Sequence, residues 1–418
     1  MRHHLWRSIN GILLFAFLAL LIVFQWAYAW IPLIALGVMA AGVAWRRTSC
    51  GMLDRDDAWL VMSFLVFGLV WLMDVWRSGQ WPMGARGEGV LLALWPWWAA
   101  LLLLWLRSFA PSVRLLWWGV CCGALGAGGI AIFERMVLGQ SRASNGMNAI
   151  PFGNLALLLG TLSLLATLWC LRRGRPQRWW LVAAASLAAL LGLSGSLLSG
   201  TRGGWIALPL LLLLVYRAAL GIMPARRLNL LSCGVMFTVL LFSLLPQSGV
   251  VERVTLVASE AQRYWQQDRP GNSLGIRVEL WRAGGLLLIE RPLLGWGEGG
   301  VEAQRDVLIA QGRIYDRVVI HDQLHNDIID TAARRGLIGL ATLLVLYGVP
   351  LWLFWSRLRR TEACAGFQLL AVAGMMVPIA FFAFGMTQSM LRDARGLSGY
   401  LGLCIACWVA LRAYEKPR

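Results

Sequence analysis

Long runs of apolar residues recur along the whole chain and are separated by short polar segments. A helix that crosses a bilayer needs about 20 predominantly apolar residues, and most of these runs reach or approach that length. The pattern therefore predicts an all-α polytopic membrane protein with about 12 transmembrane helices. The predicted spans are residues 10–28, 31–45, 58–76, 89–106, 114–133, 152–171, 179–198, 203–221, 228–246, 337–355, 365–386 and 396–411.

One long polar stretch, residues 247–336, interrupts this pattern and is large enough to form a domain. We therefore predict a membrane domain with helices 1–9 at residues 1–246, a loop domain at 247–336, and a membrane domain with helices 10–12 at 337–418. Arginine is more frequent in the short loops that share the side of the N-terminus. The positive-inside rule then places both termini in the cytoplasm and the loop domain outside.

The loop domain contains helical spacing in its own right. Residues 252–269 predict an amphipathic helix, and residues 274–290 predict a second helix that ends before Pro292 and the GWGEGG run. Residues 328–335 predict the start of a further helix, which continues into the tenth span. The loop domain should therefore be helical and joined directly to the membrane domain.

The composition agrees with a membrane protein and argues against nucleic-acid binding and a disulfide framework. Of the 418 residues, 59% are hydrophobic and 14% are charged, and the mean hydropathy is +0.64. The net charge of +17 could indicate nucleic-acid binding, but the arginines cluster at the ends of apolar runs, which indicates the membrane interface. None of the eight cysteines lies in the long polar stretch, so no disulfide framework is predicted.

Two of the four histidines, His321 and His325, lie where the polar stretch meets the tenth span, in the sequence HDQLHNDIIDTAARRGLIG. An imidazole at such a border is a candidate acid or base near neutral pH, and we interpret His325 as a general base. The i, i+4 spacing of the two histidines also resembles the zinc pair HExxH. A metal site and a purely structural histidine therefore stay open as alternatives.

Three arginines on the predicted outer side are candidates for binding an anion. They are Arg142 in SRASNG, Arg202 in SGTRGGW and Arg277 in SLGIRVE. A guanidinium group binds phosphate through two parallel hydrogen bonds, although an arginine at a membrane interface can also extend into water without any ligand. Within the predicted spans Asp74 is nearly the only ionisable residue, so the charged relays of a typical transporter are missing. The sequence also contains no Walker A motif, and no nucleotide cofactor is predicted.

Several of these stretches together resemble the signature of the O-antigen ligase and polymerase superfamily. They are HN-x9-G-x-x-G from His325 through Gly336 to Gly339, SGTRGGW around Arg202, the stretch from Arg277 to the end of ERPLLGWG, and RASNGMNAIPFGNLA from Arg142. After the last glycine of the first motif, Leu340 stands where family members often have glycine, threonine or tyrosine. This departure leaves the choice between subfamilies open.

The resemblance implies a glycosyltransferase of the bacterial inner membrane whose active site faces the periplasm. Ligases of this superfamily transfer a polysaccharide from undecaprenyl diphosphate to a sugar hydroxyl of lipid A-core, with inversion and without a metal or other cofactor. By this resemblance His325 would be the base, and Arg202 and Arg277 would hold the diphosphate. Arg142 and Asn326 would bind or position the substrate.

Three alternatives stay open at this stage. An O-antigen polymerase and a protein O-oligosaccharyltransferase of the same superfamily use the same donor chemistry. A solute transporter belongs to a different class and would depend on Asp74. In each case the expected surroundings are a lipid bilayer, and no nucleic-acid partner is expected.

Overall fold

The computed structural model describes residues 2–46, 53–83, 90–172, 178–230, 233, 273–320, 322–359 and 364–415. All regular secondary structure in these ranges is helical, which confirms the predicted fold class. The α-helices are α1 (Arg2–Leu20), α2 (Ala27–Arg46), α3 (Arg55–Arg77), α4 (Val90–Ser108), α5 (Val113–Ile132), α6 (Ala149–Leu171), α7 (Trp179–Leu198), α8 (Leu208–Ala219), α9 (Ser273–Glu290), α10 (Gly300–Ala310), α11 (Asp327–Leu358), α12 (Ala365–Gly385) and α13 (Ala394–Tyr414).

Nine helices in the described ranges are long and apolar enough to cross a membrane, so the chain is a polytopic membrane protein. Two further predicted spans, 10–28 and 203–221, fall on the shorter apolar helices His4–Leu20 and Gly203–Ala219. The predicted ninth span, 228–246, and the predicted amphipathic helix, 252–269, lie largely or wholly outside the described residues. The count of twelve spans therefore stays a prediction.

The first predicted span is misplaced along the chain. Helix α1 ends at Leu20 and α2 begins at Ala27, so the run 10–28 contains a turn. Leu21 and Ile22 lie in this turn but are fully buried. Their hydrophobicity reflects contact with the core, and a hydropathy pattern does not distinguish such a buried turn from a helix.

Small residues bring the central helices into close contact. A side chain at Gly160 of α6 would approach the backbone N of Leu193 in α7 to 2.8 Å, and one at Gly192 would approach the Cα of Gly160 to 2.7 Å. In a membrane, helices associate through close van der Waals contact of this kind, because lipid offers no hydrophobic drive for association. The close contact between Gly160 and Gly192 therefore fixes α6 and α7, whose ends carry much of the candidate site.

An ionic cluster joins four helices at one end of the bundle; we call it the Asp57 cluster. Arg107, in the last turn of α4, contacts the Asp57 carboxylate at 2.7 Å, and Trp408 of α13 donates a hydrogen bond to the same carboxylate at 2.8 Å. Arg357, near the end of α11, contacts Asp56 at 2.5 Å. The start of α3 is therefore tied to the ends of α4, α11 and α13.

At the other end of the bundle, α11 is interrupted at Gly336, whose φ of 61° and ψ of −158° are not helical. The break frees backbone groups that pair with the segment after α9. The N–H of Leu337 donates to the carbonyl of Pro292 at 2.7 Å, and the N–H of Trp296 donates to the carbonyl of Ala333 at 2.9 Å. The loop segment PLLGWG is thus attached to the membrane helix through its backbone.

We predict that Gly336→Ala destabilises the protein. Its backbone conformation is essentially restricted to glycine and costs a residue with a side chain roughly 1–3 kcal/mol. The added Cβ would also collide with the backbone of Leu293. Gly348→Ala in the same helix is the matched control, because no atom lies within 4 Å of an added Cβ there. Thermal unfolding in detergent should give a lower midpoint for Gly336→Ala alone. Equal midpoints for the two variants would contradict the proposed attachment.

Candidate active site

Arg142 lies in a loop that is fixed to the helix bundle. The loop follows a π-helical turn, Phe133–Val137, which holds the buried Glu134. The Glu134 carboxylate accepts hydrogen bonds from the backbone N–H of Ser144 at 2.7 Å and of Asn145 at 3.1 Å. Asn145 has a φ of 51°, and its side chain donates to the carbonyl of Ile22 at 2.8 Å. The loop thereby holds Arg142 in a defined position.

The Arg142 guanidinium reaches the turn that follows α7. Its Nε donates to the carbonyl of Ser199 at 2.8 Å, and its Nη2 lies 3.5 Å from the Thr201 hydroxyl. Thr201 in turn donates to the carbonyl of Ala149 at the start of α6. The next residue is Arg202, which is exposed, and no carboxylate in the described ranges pairs with it. Two of the three predicted arginines therefore lie at one turn.

Arg277 lies near this turn, on α9, and is half-buried. Burial lowers the pKa of its guanidinium, and the positive charge of Arg142 lowers it further. Among the described residues no acidic side chain pairs with Arg277. Further along α9, a side chain at Gly284 would meet Leu324 and Ile329, so the helix packs on the segment that carries His325. The arrangement leaves positive charge without a protein counter-charge.

The turn after α7 that carries Arg202, which we call the arginine turn, packs closely against the segment that contacts His325. Two glycines that follow Arg202 make this close packing possible. A side chain at Gly203 would collide with Thr387, and one at Gly204 would collide with the amide oxygen of Asn154. Glycine is therefore required for this close approach. Since Thr387 precedes Gln388, the turn with Arg202 contacts the same segment that holds the candidate base.

His325 has a φ of 50°, and a short hydrogen bond to Gln388 orients its ring. Its Nδ1 lies 2.7 Å from Oε1 of Gln388, while Nε2 of Gln388 donates to Oε1 of Gln323 at 3.1 Å. An amide oxygen only accepts hydrogen bonds, so in the neutral ring Nδ1 carries the proton. The lone pair then lies on Nε2, which is the atom that a general base uses.

Asn326 begins α11 as its N-cap. Its side-chain oxygen accepts hydrogen bonds from the N–H of Ile328 at 2.9 Å and of Ile329 at 3.1 Å, and its amide nitrogen donates to the carbonyl of Met386 at 3.1 Å. Both polar ends of the side chain are therefore used within the protein. The geometry favours the positioning role over direct contact, and substrate binding by Asn326 stays a prediction.

Beside these residues lies a buried set of charges that we call the Glu298 network. Glu298 contacts Arg392 at 2.7 Å and Arg335 at 3.2 Å. Arg334 contacts Glu302 at 2.6 Å and Asp330 at 3.0 Å. The network consists of four acidic residues and four arginines: Asp74, Glu298, Glu302 and Asp330 with Arg77, Arg334, Arg335 and Arg392. It contains as many negative as positive groups.

Glu298 lies at the centre of this network with a fully buried side chain. Burial alone would raise the pKa of its carboxyl, but the positive charges of Arg392, Arg334 and Arg335 lower it to about 2. The carboxylate is therefore charged throughout the physiological range. A charge in this position is stable only because several arginines surround it.

Asp74 belongs to the same network, which changes its interpretation. Its carboxylate contacts Arg77 at 2.5 Å and Arg335 at 3.5 Å. Arg77 also donates to the carbonyl of Leu294 at 2.7 Å, so it joins α3 to the PLLGWG segment. Asp74 therefore has a structural role that accounts for an acidic residue at this depth.

Gln388 and Glu298 are important residues that the sequence pattern did not indicate. Glu298 lies within GWGEGG, where the glycines at 295, 297 and 299 all have positive φ and allow the backbone to turn around the carboxylate. That dense glycine pattern was a usable signal. Gln388 is 63 residues from His325 in the sequence, and no local pattern marks it.

A metal site receives no support from the described residues, in which no three His, Cys, Asp or Glu side chains converge as ligands. His321 lies outside the described residues, so the His321–His325 pair is not part of this observation. Metal-independent chemistry therefore stays a prediction that rests on the family resemblance.

We predict that Glu298→Gln lowers stability by about 3–5 kcal/mol, because it leaves buried arginines without a counter-charge. Glu290→Gln is the matched control, since the Glu290 and Arg313 side chains are 39% and 43% exposed and such pairs contribute little. Thermal unfolding in detergent would measure both variants. A midpoint for Glu298→Gln as close to wild type as the control would show that the network does not depend on Glu298.

The same measurement has a defined pH dependence. The pKa of Glu298 is about 2 in the folded state, against 4.5 for an ordinary glutamate, so its stabilisation is complete above pH 4.5. This contribution is lost as the pH falls from 4.5 through about 2. Glu298→Gln should lose less stability than wild type over that interval.

Comparison with known proteins adds a second observation about this part of the chain. A family model described as O-antigen ligase matches residues 187–344, a range that includes Arg202, Arg277, Glu298 and His325. The chain is also 25% identical over 399 residues to an uncharacterized protein of Haemophilus influenzae, and the alignment covers 94% of this chain and 96% of that protein. Over residues 187–344 the chain is therefore similar to the O-antigen ligase family, in the region that also carries most of the motifs.

Proposed function

We propose that this protein is an O-antigen ligase. It would transfer a polysaccharide from undecaprenyl diphosphate to a sugar hydroxyl of lipid A-core at the periplasmic face of the bacterial inner membrane. The observation that carries the proposal is one arrangement of side chains. Arg142, Arg202 and Arg277 have no acidic partner among the described residues, and they lie near a histidine whose ring is oriented by Gln388.

The arginines suit a donor that carries a diphosphate. Arg202 and Arg277 would bind phosphate oxygens with paired hydrogen bonds, while Arg142 adds positive charge and supports the Arg202 turn. Negative charge grows on the diphosphate as the glycosidic bond breaks. Groups that already point at this position stabilise the transition state without further rearrangement.

His325 suits the activation of the acceptor. In the proposed reaction its Nε2 takes the proton from the sugar hydroxyl, whose oxygen forms a bond with the anomeric carbon. The bond between that carbon and the diphosphate oxygen breaks at the same time, and its electron pair leaves with undecaprenyl diphosphate. A single displacement of this kind inverts the anomeric carbon. Gln388 acts as a positioning residue, because it holds the proton on Nδ1.

The proposed orientation follows from the charge of the loops and from the position of the site. Arginine-rich short loops lie at the end of the bundle that also holds the Asp57 cluster, and the arginine turn and His325 lie at the opposite end. The positive-inside rule then places both termini in the cytoplasm and the site in the periplasm. The proposed partners are the donor lipid, lipid A-core and the bilayer, without nucleic acid.

An O-antigen polymerase is the nearest alternative, and a protein O-oligosaccharyltransferase shares the same donor. Deletion of the gene, followed by electrophoresis of the lipopolysaccharide, distinguishes them. Loss of a ligase should leave bare core and accumulated lipid-linked polymer. Core that carries a single repeat would identify a polymerase, and unchanged lipopolysaccharide with altered glycoproteins would identify the protein-modifying enzyme.

We predict that Arg202→Lys and Arg277→Lys each lose most transfer activity while inserting normally. Lysine keeps the charge but loses the planar pair of donors that binds two phosphate oxygens. Arg282→Lys is the matched control on α9, because its side chain is 59% exposed and lies 3.7 Å from Glu279. Transfer of lipid-linked donor by purified enzyme would be measured. Near-wild-type transfer by both site variants would exclude a bidentate phosphate contact.

We predict that His325→Ala lowers transfer by roughly 10²-fold or more, because the acceptor then keeps its proton. Donor binding should persist, since the arginines supply the affinity. His321→Ala should lose much less. Equal losses from the two histidine variants would favour a shared metal or structural role over a single base.

Substitution of Gln388 gives a second test of the base. Gln388→Glu places a carboxylate next to Nδ1 and should favour the imidazolium form. The acid limb of the pH–rate profile should then move to higher pH by about 1–3 units. If the Gln388→Glu enzyme is active and its pH–rate profile is the same as that of wild type, Gln388 does not influence the protonation of His325.

A further inference from the structure

A basic cavity lies far from the candidate active site. Its volume is about 460 Å³, and its walls include three arginines and three tryptophans: Arg114, Arg172, Arg178, Trp118, Trp169 and Trp180. The volume is in the range of small-molecule binding sites. None of its described lining residues is acidic. Nothing in the proposed transfer reaction uses these residues.

The cavity lies at the opposite face of the bundle from His325. It is formed by the start of α5, the end of α6 and the start of α7, whereas the Arg142 loop and the Arg202 turn lie at the other ends of these helices. Helix α6 alone has 23 residues and separates the two faces by roughly 35 Å. The cavity is therefore not part of the active site.

The arginines of this cavity differ from other arginines at the same face. In the Asp57 cluster, Arg107 and Arg357 are each paired with an aspartate. In contrast, no carboxylate in the described ranges pairs with Arg114 or Arg178. Unlike the balanced cluster, the cavity therefore presents positive charge that an anion can neutralise.

One of the three arginines is held in place by aromatic contact. The Arg172 guanidinium lies 3.4 Å from the ring centroid of Trp169, and it also donates to the carbonyl of that residue. Trp169 is supported in turn by Trp117, with ring centroids 5.7 Å apart. The Arg172 guanidinium therefore has a fixed position in the wall of the cavity.

The tryptophans indicate the depth of the cavity in the membrane. Trp179 and Trp180 begin α7 and are 78% and 52% exposed, and Leu181 lines the cavity beside Trp180. Exposed tryptophans of this kind collect at the level of lipid head groups. Phosphate groups and the first carbons of acyl chains meet at this level, so the cavity combines a basic part with an apolar wall at a suitable depth.

We propose that this cavity binds the phosphate head group of an anionic phospholipid in the leaflet opposite the active site. Arg114 and Arg178 would contact the phosphate oxygens, and Trp118, Trp180 and Leu181 would contact the glycerol and upper acyl carbons. In the proposed orientation this leaflet is the cytoplasmic one, where basic pockets between helices bind anionic head groups. The site does not depend on which transferase reaction the protein performs.

The test uses the full-length protein in a neutral detergent and native mass spectrometry with dioleoyl phosphatidylglycerol. The double variant Arg114→Gln/Arg178→Gln removes two cations from the cavity. Arg226→Gln/Arg227→Gln removes two exposed arginines from the helical segment after α8, at the same face, and is the matched control. We expect the cavity variant to bind the lipid at least about tenfold more weakly than wild type, because it loses charge-assisted hydrogen bonds to the phosphate. The control variant should bind the lipid like wild type.

Two further measurements test whether the cavity recognises an anionic lipid rather than any phosphate group. Dioleoyl phosphatidylcholine carries the same phosphate without net charge and should bind more weakly than phosphatidylglycerol. Millimolar inorganic phosphate should not displace the bound lipid, because it lacks the apolar contacts. Equal weakening in both double variants, or full displacement by inorganic phosphate, would overturn the proposal. Because an unfolded chain gives a broader distribution of higher charge states in the same spectra, unfolding is separated from loss of binding.

Discussion

The ion pairs around Glu298 determine how the segment after α9 meets the membrane helices. Glu298 comes from the segment after α9, Arg335 from the start of α11, and Arg392 from the turn before α13. Asp74 and Arg77 add α3 to the same network. Each buried charge is stable only while its partners stay in place, so these elements are coupled. The positions of α9 and of the His325 segment follow from that coupling.

The arginines fall into two classes, those that are paired with an acidic side chain and those that are not. Arg334, Arg335 and Arg392 are matched by buried carboxylates and hold the fold together. Arg202 and Arg277 lack such partners among the described residues and stay available for an anion. A guanidinium left without a counter-ion costs stability wherever it is partly buried, and that cost is tolerated where a ligand supplies the negative charge. The proposed site is therefore marked by the lack of carboxylate partners among the described residues as much as by the arginines themselves.

The sequence was most informative where the pattern is local. Periodicity and apolar length predicted α9 and the nine long apolar helices of the described ranges. The motifs indicated the three arginines and His325 as candidates, and their roles stay predictions. It was least informative where residues distant in the chain meet, as with His325 and Gln388 or Glu298 and Arg392. No periodic pattern encodes such contacts, because they exist only after the helices have associated. The turn after Leu20 was missed for a related reason, since a core can bury a turn as well as a helix.

The choice of arginine in the candidate site has a consequence for how the enzyme would respond to acid. Guanidinium groups stay protonated at any pH that a bacterium survives, whereas an imidazole gains a proton under mild acidity. In the proposed reaction, acid would therefore disable the acceptor step while the donor lipid remained bound. The enzyme would pause with its donor loaded, and a return to neutral pH would restart transfer without a new round of donor capture.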